Sequence, residues 1–405
     1  MTPASTAMRS KTRAGDLAAF GGAPMYEVPI STSNLVQPDI ERFLAWSRVF
    51  HDAHRYTNDG PVLKALEQRL AEFHGTRHCV ATSNGFWALV LAIGAVALPG
   101  RREVVMPSLT YRRLADIVAW CGLVPRFCEV DAATLAIDPT EAARCLGPDT
   151  ALLLAVHPIV NCCDAPALER VAAEHGVPLL FDSVESVYES VAGRKTGSFG
   201  AAECYSMHAS KLLNGFEGGY VTTDDAALAH RLAKVRAFGF FGQDNVENLG
   251  INAKLNEMHA AMAMAGLDDL EAQVLRNQAR YRAWQRELAS VPGLRLLAFD
   301  ESERCSFKTI VVEIEDAWPL TRAATLDLLN RERILSRAYY SPPLHARPMR
   351  YAHVPASLPL TERLAERFML LPCGHLVNED DIAGVAALLR FMHDQAAEIR
   401  ARMAA

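Results

Sequence analysis

Lys211 stands in the run Ser206-Met207-His208-Ala209-Ser210-Lys211, with Asn214 and the glycine pair Gly218-Gly219 shortly after it. The β-branched stretch that follows, Tyr220 to Thr223, reads as a strand, which puts Lys211 on a turn between ordered elements. An amine confined among small and apolar neighbours loses hydration, its pKa falls, and it becomes available for Schiff-base chemistry. The alternative is a solvated surface lysine. The second anchor is Asp182, which ends the apolar run Val177-Pro178-Leu179-Leu180-Phe181. A carboxylate at the end of a buried strand either caps the next helix or faces a cation. A pyridoxal phosphate (PLP) ring supplies such a cation, because a carboxylate at the pyridine nitrogen keeps it protonated and makes the ring an electron sink. Asp182 and Lys211 together favour the cofactor over either alternative.

A phosphate needs its own holder. His78 to Thr82 reads as a strand, Ser83-Asn84-Gly85 as a turn, and Phe86 to Leu98 as a buried helix. The helix N-terminus offers free N–H groups and a favourable dipole, and Gly85 permits close approach of the backbone. Asn84, Gly85 and Phe86 are therefore candidate phosphate contacts. A second strand, beginning at Glu103, ends near Pro107-Ser108-Leu109-Thr110-Tyr111 and offers Tyr111 for flat stacking on a ring or, alternatively, as a core or rim aromatic.

With Glu217-Gly218-Gly219, the lysine run resembles that of the DegT/DnrJ/StrS sugar aminotransferases of PLP fold type I, and the resemblance extends over almost the whole chain. It implies that Lys211 binds PLP covalently and that Asp182 faces the ring nitrogen. It also implies that Ser206 contacts the phosphate and Tyr111 stacks on the ring. Gly250 to Glu257 is similar to a family phrase whose Asn, here Asn252, reaches the cofactor phosphate of a neighbouring subunit, which requires at least a homodimer. The alternative for that segment is a surface turn capping the next helix. Tyr339 to His345 resembles a loop at the substrate entrance, which makes Tyr340 and His345 candidate substrate contacts or, alternatively, parts of a rigid proline loop.

The sequence departs from the family in four places. Glu185 stands where relatives carry His or Gln near the ring hydroxyl, Phe86 replaces a Thr, and Arg112-Arg113 replace small residues and face either substrate or solvent. The segment Val160-Asn161-Cys162-Cys163 lacks the expected glycine and proline. His208 is either a packed core histidine or a direct participant. Resemblance implies transfer of an amino group from L-glutamate to a nucleotide-linked sugar, with a 4-keto-6-deoxy sugar favoured by Phe216-Glu217-Gly218-Gly219. A divergent member acting on a non-sugar ketone is the alternative, and a non-catalytic sensor with this fold is a third reading.

The elements that must position these residues alternate β and α with apolar strands, as in a mainly parallel sheet covered by helices on both faces. After one long helix over Glu257 to about Ala289, the pattern changes to strands at Leu294–Ala298 and Phe307–Ile314 and a helix at Thr321–Glu332. The expected division is a disordered leader at 1–24, a PLP-binding α/β domain at 25–275 and a smaller α+β domain at 276–405. At 405 residues, half of them hydrophobic, the chain can bury two such cores. A net charge of −6 without a basic block argues against nucleic acid, and no segment reaches the ~18 apolar residues of a membrane span. Nine cysteines without a paired C-x-x-C pattern suggest a reduced, cytoplasmic protein with no metal site.

Overall fold

The computed structural model describes residues 8–33, 36–241, 245–246 and 249–404. Its centre is a seven-stranded sheet of β1 (His78–Thr82), β2 (Glu103–Pro107), β3 (Val124–Cys128), β4 (Thr150–Val156), β5 (Leu179–Asp182), β6 (Ala202–Ser206) and β7 (Gly219–Thr223), in the order β1-β7-β6-β5-β4-β2-β3. All pairings are parallel except those of β7, which runs antiparallel to both β1 and β6. The strands are apolar on both faces because both are covered. On β4, Leu152 and Leu154 pack into one core with the helices Gly85–Val96 and Ala226–Val235, while Leu153 and Ala155 point into the other with Pro139–Cys145 and Ala165–Glu174.

Asp or Asn side chains cap most of the helices that feed this sheet. Asn84, Asp138, Asp164 and Asp225 each accept backbone N–H groups of the first turn. The single long helix expected after Glu257 is two, Glu257–Asp268 and Leu270–Leu288. The break falls at Asp269, whose side chain turns to Gln273 and Arg276.

A four-stranded antiparallel sheet, β8 (Leu294–Leu296), β9 (Ile310–Ile314), β10 (Arg337–Ala338) and β11 (Phe368–Leu371) in the order β8-β9-β11-β10, packs with the helices Arg322–Arg331 and Glu379–Asp394. The expected leader is ordered from residue 8, contrary to the expectation of disorder; residues 1–7 lie outside the described residues. The reason is burial of both charge and apolar surface. Glu332 is fully buried and accepts hydrogen bonds from Ala18 N (2.7 Å) and Met25 N (2.7 Å) and an ion pair from Lys11 Nζ (2.9 Å), while Ala14 and Leu17 are sealed in the core. The strap ends at Ile30–Ser31, which pairs in parallel with Ile334–Leu335. Among the described residues, no helix is long and apolar enough to cross a membrane, and no group of three or more His, Cys, Asp or Glu could hold a metal ion.

Candidate active site

The carboxyl ends of β2, β4, β5 and β6 open on one side of the sheet, where parallel α/β folds place their ligands. Asp182 is the last residue of β5 and only 2 % exposed. Its Oδ1 accepts Val184 N at 3.2 Å, and burial raises its carboxyl to about 6, against that N–H and the nearby Lys211. A carboxyl so placed gains a partner if a protonated ring nitrogen arrives.

Lys211 follows β6. Because β6 and β7 pair with Ser206 opposite Gly219, the intervening segment must double back at the sheet end. Met207 N bonds Gly218 O (2.7 Å), Gly215 N bonds Met207 O (2.8 Å) and Lys211 N bonds His208 O (2.8 Å). Asn214 pins the turn by donating to Val36 O and accepting from Phe216 N. His208 is half exposed and bonds Ser210 through Nδ1, so it is neither a packed core histidine nor a lining residue of the cleft.

Lys211 Nζ is hydrogen-bonded to Glu185 Oε1, and Lys308 Nζ to Glu185 Oε2. Burial by itself would raise the Glu185 carboxyl, but the two ammonium groups outweigh it and hold it at about 2. Glu185 is thus an ionised carboxylate clamped between two lysines. Lys308, 3 % exposed and carried on the segment leading into β9, escaped the sequence reading entirely. The only signal for it was the substitution of a carboxylate at 185, which needs a buried cation.

Around this group lies a cleft of about 290 Å³ whose walls include Tyr111, Arg112, Glu185, Lys211, Lys308 and Tyr340. A smaller adjoining cavity reaches Asp182 and shares Tyr111, Glu185 and Tyr340 with it. Tyr111 is 46 % exposed and free to stack.

The holder for an anion stands beside β6. Asn84 Oδ1 accepts Trp87 N (2.9 Å) and its carbonyl accepts Ala88 N, and among the described residues no acceptor meets the N–H of Gly85 or Phe86. A Cβ on Gly85 would lie 2.8 Å from the Ser206 Cβ, and one on Gly219 would lie 2.5 Å from the Asn84 carbonyl carbon. The helix N-terminus therefore sits against Ser206 as closely as the backbone allows. The Phe86 ring turns away to Trp87 and Trp120 (centroids 5.4 and 6.3 Å), leaving only its backbone for a phosphate.

Two expected site residues lie elsewhere. His345 is held by Ser108 Oγ on Nδ1 (2.7 Å) and by Glu362 on Nε2 (3.0 Å), and it fastens the loop after β2 instead of lining the cleft. Asn252 is exposed, bridges Ala237 through its backbone, and does not reach the cleft of its own chain.

A strand-end carboxylate, a lysine on the turn opposite and a glycine-bearing helix N-terminus, all at the carboxyl edge of one mainly parallel sheet, define an α/β protein with a ligand site built around an amine. A sequence profile of the DegT/DnrJ/EryC1/StrS aminotransferase family matches residues 40–390, and the chain belongs to that family. It is 30% identical to the UDP-N-acetyl-3-dehydro-alpha-D-glucosamine 3-aminotransferase of Acidithiobacillus ferrooxidans, over 81% of this chain and 87% of that one. It is 24% identical to the dTDP-4-amino-4,6-dideoxy-D-glucose transaminase of Escherichia coli, over 89% and 98% of the two chains. Its fold matches that of DesI, solved in the presence of its TDP-sugar product, with a TM-score of 0.90 at 36% identity, over 96% of this chain and all of that one.

Proposed function

We propose that this aminotransferase uses PLP and carries an amino group from L-glutamate to the keto group of a nucleotide-linked sugar, a 4-keto-6-deoxy sugar in the first instance. The observation that carries the reading is the arrangement at the carboxyl edge of the sheet: Lys211 lines the cleft, Asp182 lines the adjoining cavity that shares Tyr111, Glu185 and Tyr340 with it, and the Gly85 N-terminus abuts Ser206 at the end of β6. The residues fit the cofactor: Gly85 N, Phe86 N and Ser206 for its phosphate, Tyr111 for a ring face, Asp182 for its nitrogen and Lys211 for its carbonyl carbon. When bound, PLP supplies an electron sink for the pair left by breaking a C–H bond. Asp182, once paired, holds the proton on the ring nitrogen. Lys211 Nζ would hold the cofactor, and when free of it the lysine amine would take and return the proton at the reacting carbon.

An anionic acceptor is supported by the rim of the cleft. Arg112 and Arg347 line it together, and Arg347 is made less basic first by burial and then by the charges of Arg112 and Arg113. Crowded guanidinium groups are relieved by a diphosphate, which accepts bidentate bonds from arginine. The related proteins named above act, by their names, on dTDP- or UDP-linked sugars.

The same reading makes the chain a cytoplasmic homodimer, with residues 25–275 as the cofactor-binding domain and 276–405 as a domain closing over it. Nine free cysteines support a reducing compartment, and the exposure of Asn252 supports a role in a neighbouring subunit's site.

The test is spectroscopic. Purified protein with PLP should acquire a visible absorbance band that Lys211→Ala lacks, and L-glutamate should convert that band to the pyridoxamine form. A band that L-glutamate leaves untouched would sink the donor; a band retained by Lys211→Ala would sink the assignment of the lysine.

A further inference from the structure

Lys308 has no place in the chemistry described so far, yet it is the more deeply buried of the two lysines on Glu185. It comes from the far side of the cleft, 97 residues beyond Lys211, on the segment Phe307–Thr309 that leads into β9. Its neighbours fix it there. Glu189, also buried, is held by Ser306 Oγ and by Tyr188 N (3.0 Å), and the Lys308 charge opposes the rise that burial imposes on its carboxyl. Lys308 is bonded to one oxygen of Glu185 while the other oxygen meets Lys211 Nζ, so the carboxylate bridges the two ammonium groups.

We propose that Lys308 is a positioning residue which, through Glu185, sets the proton affinity of the nitrogen that Lys211 contributes to the site. The inference rests on the reading of Lys211 as the cofactor-binding amine. The two charges act in opposite senses on that nitrogen. Glu185, in contact with it, stabilises its protonated form, whereas Lys308, one carboxylate further away, opposes protonation and keeps Glu185 from acting at full strength. A carboxylate at position 185 alone would over-stabilise the protonated nitrogen. The pair moderates it and at the same time ties the smaller domain to the cofactor site. The other titratable groups facing this cluster are Asp182 on β5 and Tyr339 and Tyr340 on the loop after β10, with Glu189 behind Lys308 and Arg337 beyond Tyr340. All of them stay in place in the variants below.

The full-length chain is titrated in two ways. With PLP bound, the pH midpoint of the visible absorbance is recorded; without PLP, the Lys211 amine is followed by NMR with isotopically labelled lysine, assigned by its loss in Lys211→Ala. Glu185→Gln should lower both midpoints and Lys308→Met should raise them, each by about 1–3 pH units as expected for a charge within a few ångströms. The double variant, which removes the Glu185 and Lys308 charges together and guards against misfolding of the single ones, should return close to the wild-type value, and Lys308→Arg should retain it. Shifts of the same sign in the two single variants, or wild-type midpoints in Lys308→Met, overturn the proposal. Should the wild-type chain give no PLP band, the cofactor reading fails, and the NMR titration alone decides whether the pair tunes Lys211.

Discussion

Asp182 and Glu185 lie three residues apart, yet the fold pushes their carboxyl groups in opposite directions. Asp182 is buried with little to compensate it and stands at about 6, whereas Glu185 is held at about 2 by the ammonium groups of Lys211 and Lys308. A raised carboxyl binds its proton more tightly in the folded chain than in the unfolded one, so the folded state loses stability as pH rises from about 4 towards 6 and beyond. A lowered carboxyl does the reverse: its stabilisation is present above about pH 4.5 and is lost as pH falls towards 2. In the cofactor-free protein, Asp182→Asn should therefore gain on wild type by about 2–3 kcal/mol between pH 4 and 7, measured by denaturant unfolding across that range. The same variant should bind PLP more weakly, because the neutral amide no longer favours a protonated ring nitrogen. Lys211, Asp182 and Tyr111 were legible in the sequence because each ends or follows a strand with a sharp local pattern. Lys308 was not, since no spacing links it to Lys211 and only the folded chain brings them to one carboxylate.

The cradle for a phosphate belongs to elements. The helix Gly85–Val96 can approach β6 and β7 only because residues 85 and 219 lack a Cβ. Gly219→Ala would drive a methyl group against the Asn84 carbonyl and Gly85 N, 2.5–2.6 Å from the ideal Cβ, and shift the helix start away from Ser206. The expected result is a loss of PLP affinity of about tenfold or more, ~1.4 kcal/mol, read by absorbance titration. The melting temperature of the cofactor-free protein should change less, because the core under that helix is untouched. The apolar runs made the strands at His78 and Glu103 and the helix starts near Phe86, Glu257 and Thr321 readable to within a few residues. What they missed was set by side chains: Asp269 turns back on Gln273 and Arg276 and splits a helix that hydrophobic spacing had joined. In the same way, His345 stood in a substrate-loop pattern but is consumed by Ser108 and Glu362.

At the scale of the whole molecule, the exposed Asn252 and the cleft that its own chain does not let it reach bear on the proposed homodimer. If Asn252 serves a neighbouring subunit, Lys211→Ala and Asn252→Ala chains, each weak alone, should complement on mixing: a hybrid dimer would hold one intact and one doubly altered site. Random reassortment should then restore roughly a quarter of wild-type activity, and no recovery is expected if Asn252 acts within its own chain. Sedimentation of the mixture checks that hybrids formed. The second sheet was legible from the change of pattern near residue 290, but the ordered strap at residues 8–31 was not, because Ser-, Thr- and Ala-rich composition hides the buried Lys11 and its partner Glu332.

That strap imposes an order on biosynthesis. Ile30 and Ser31 are made about 300 residues before the strand they pair with, Ile334–Leu335. At roughly 5–20 residues per second, the earlier strand waits on the order of 15–60 s for its partner. The strap strand thus stays unpaired through that interval, open to proteases and to chaperones.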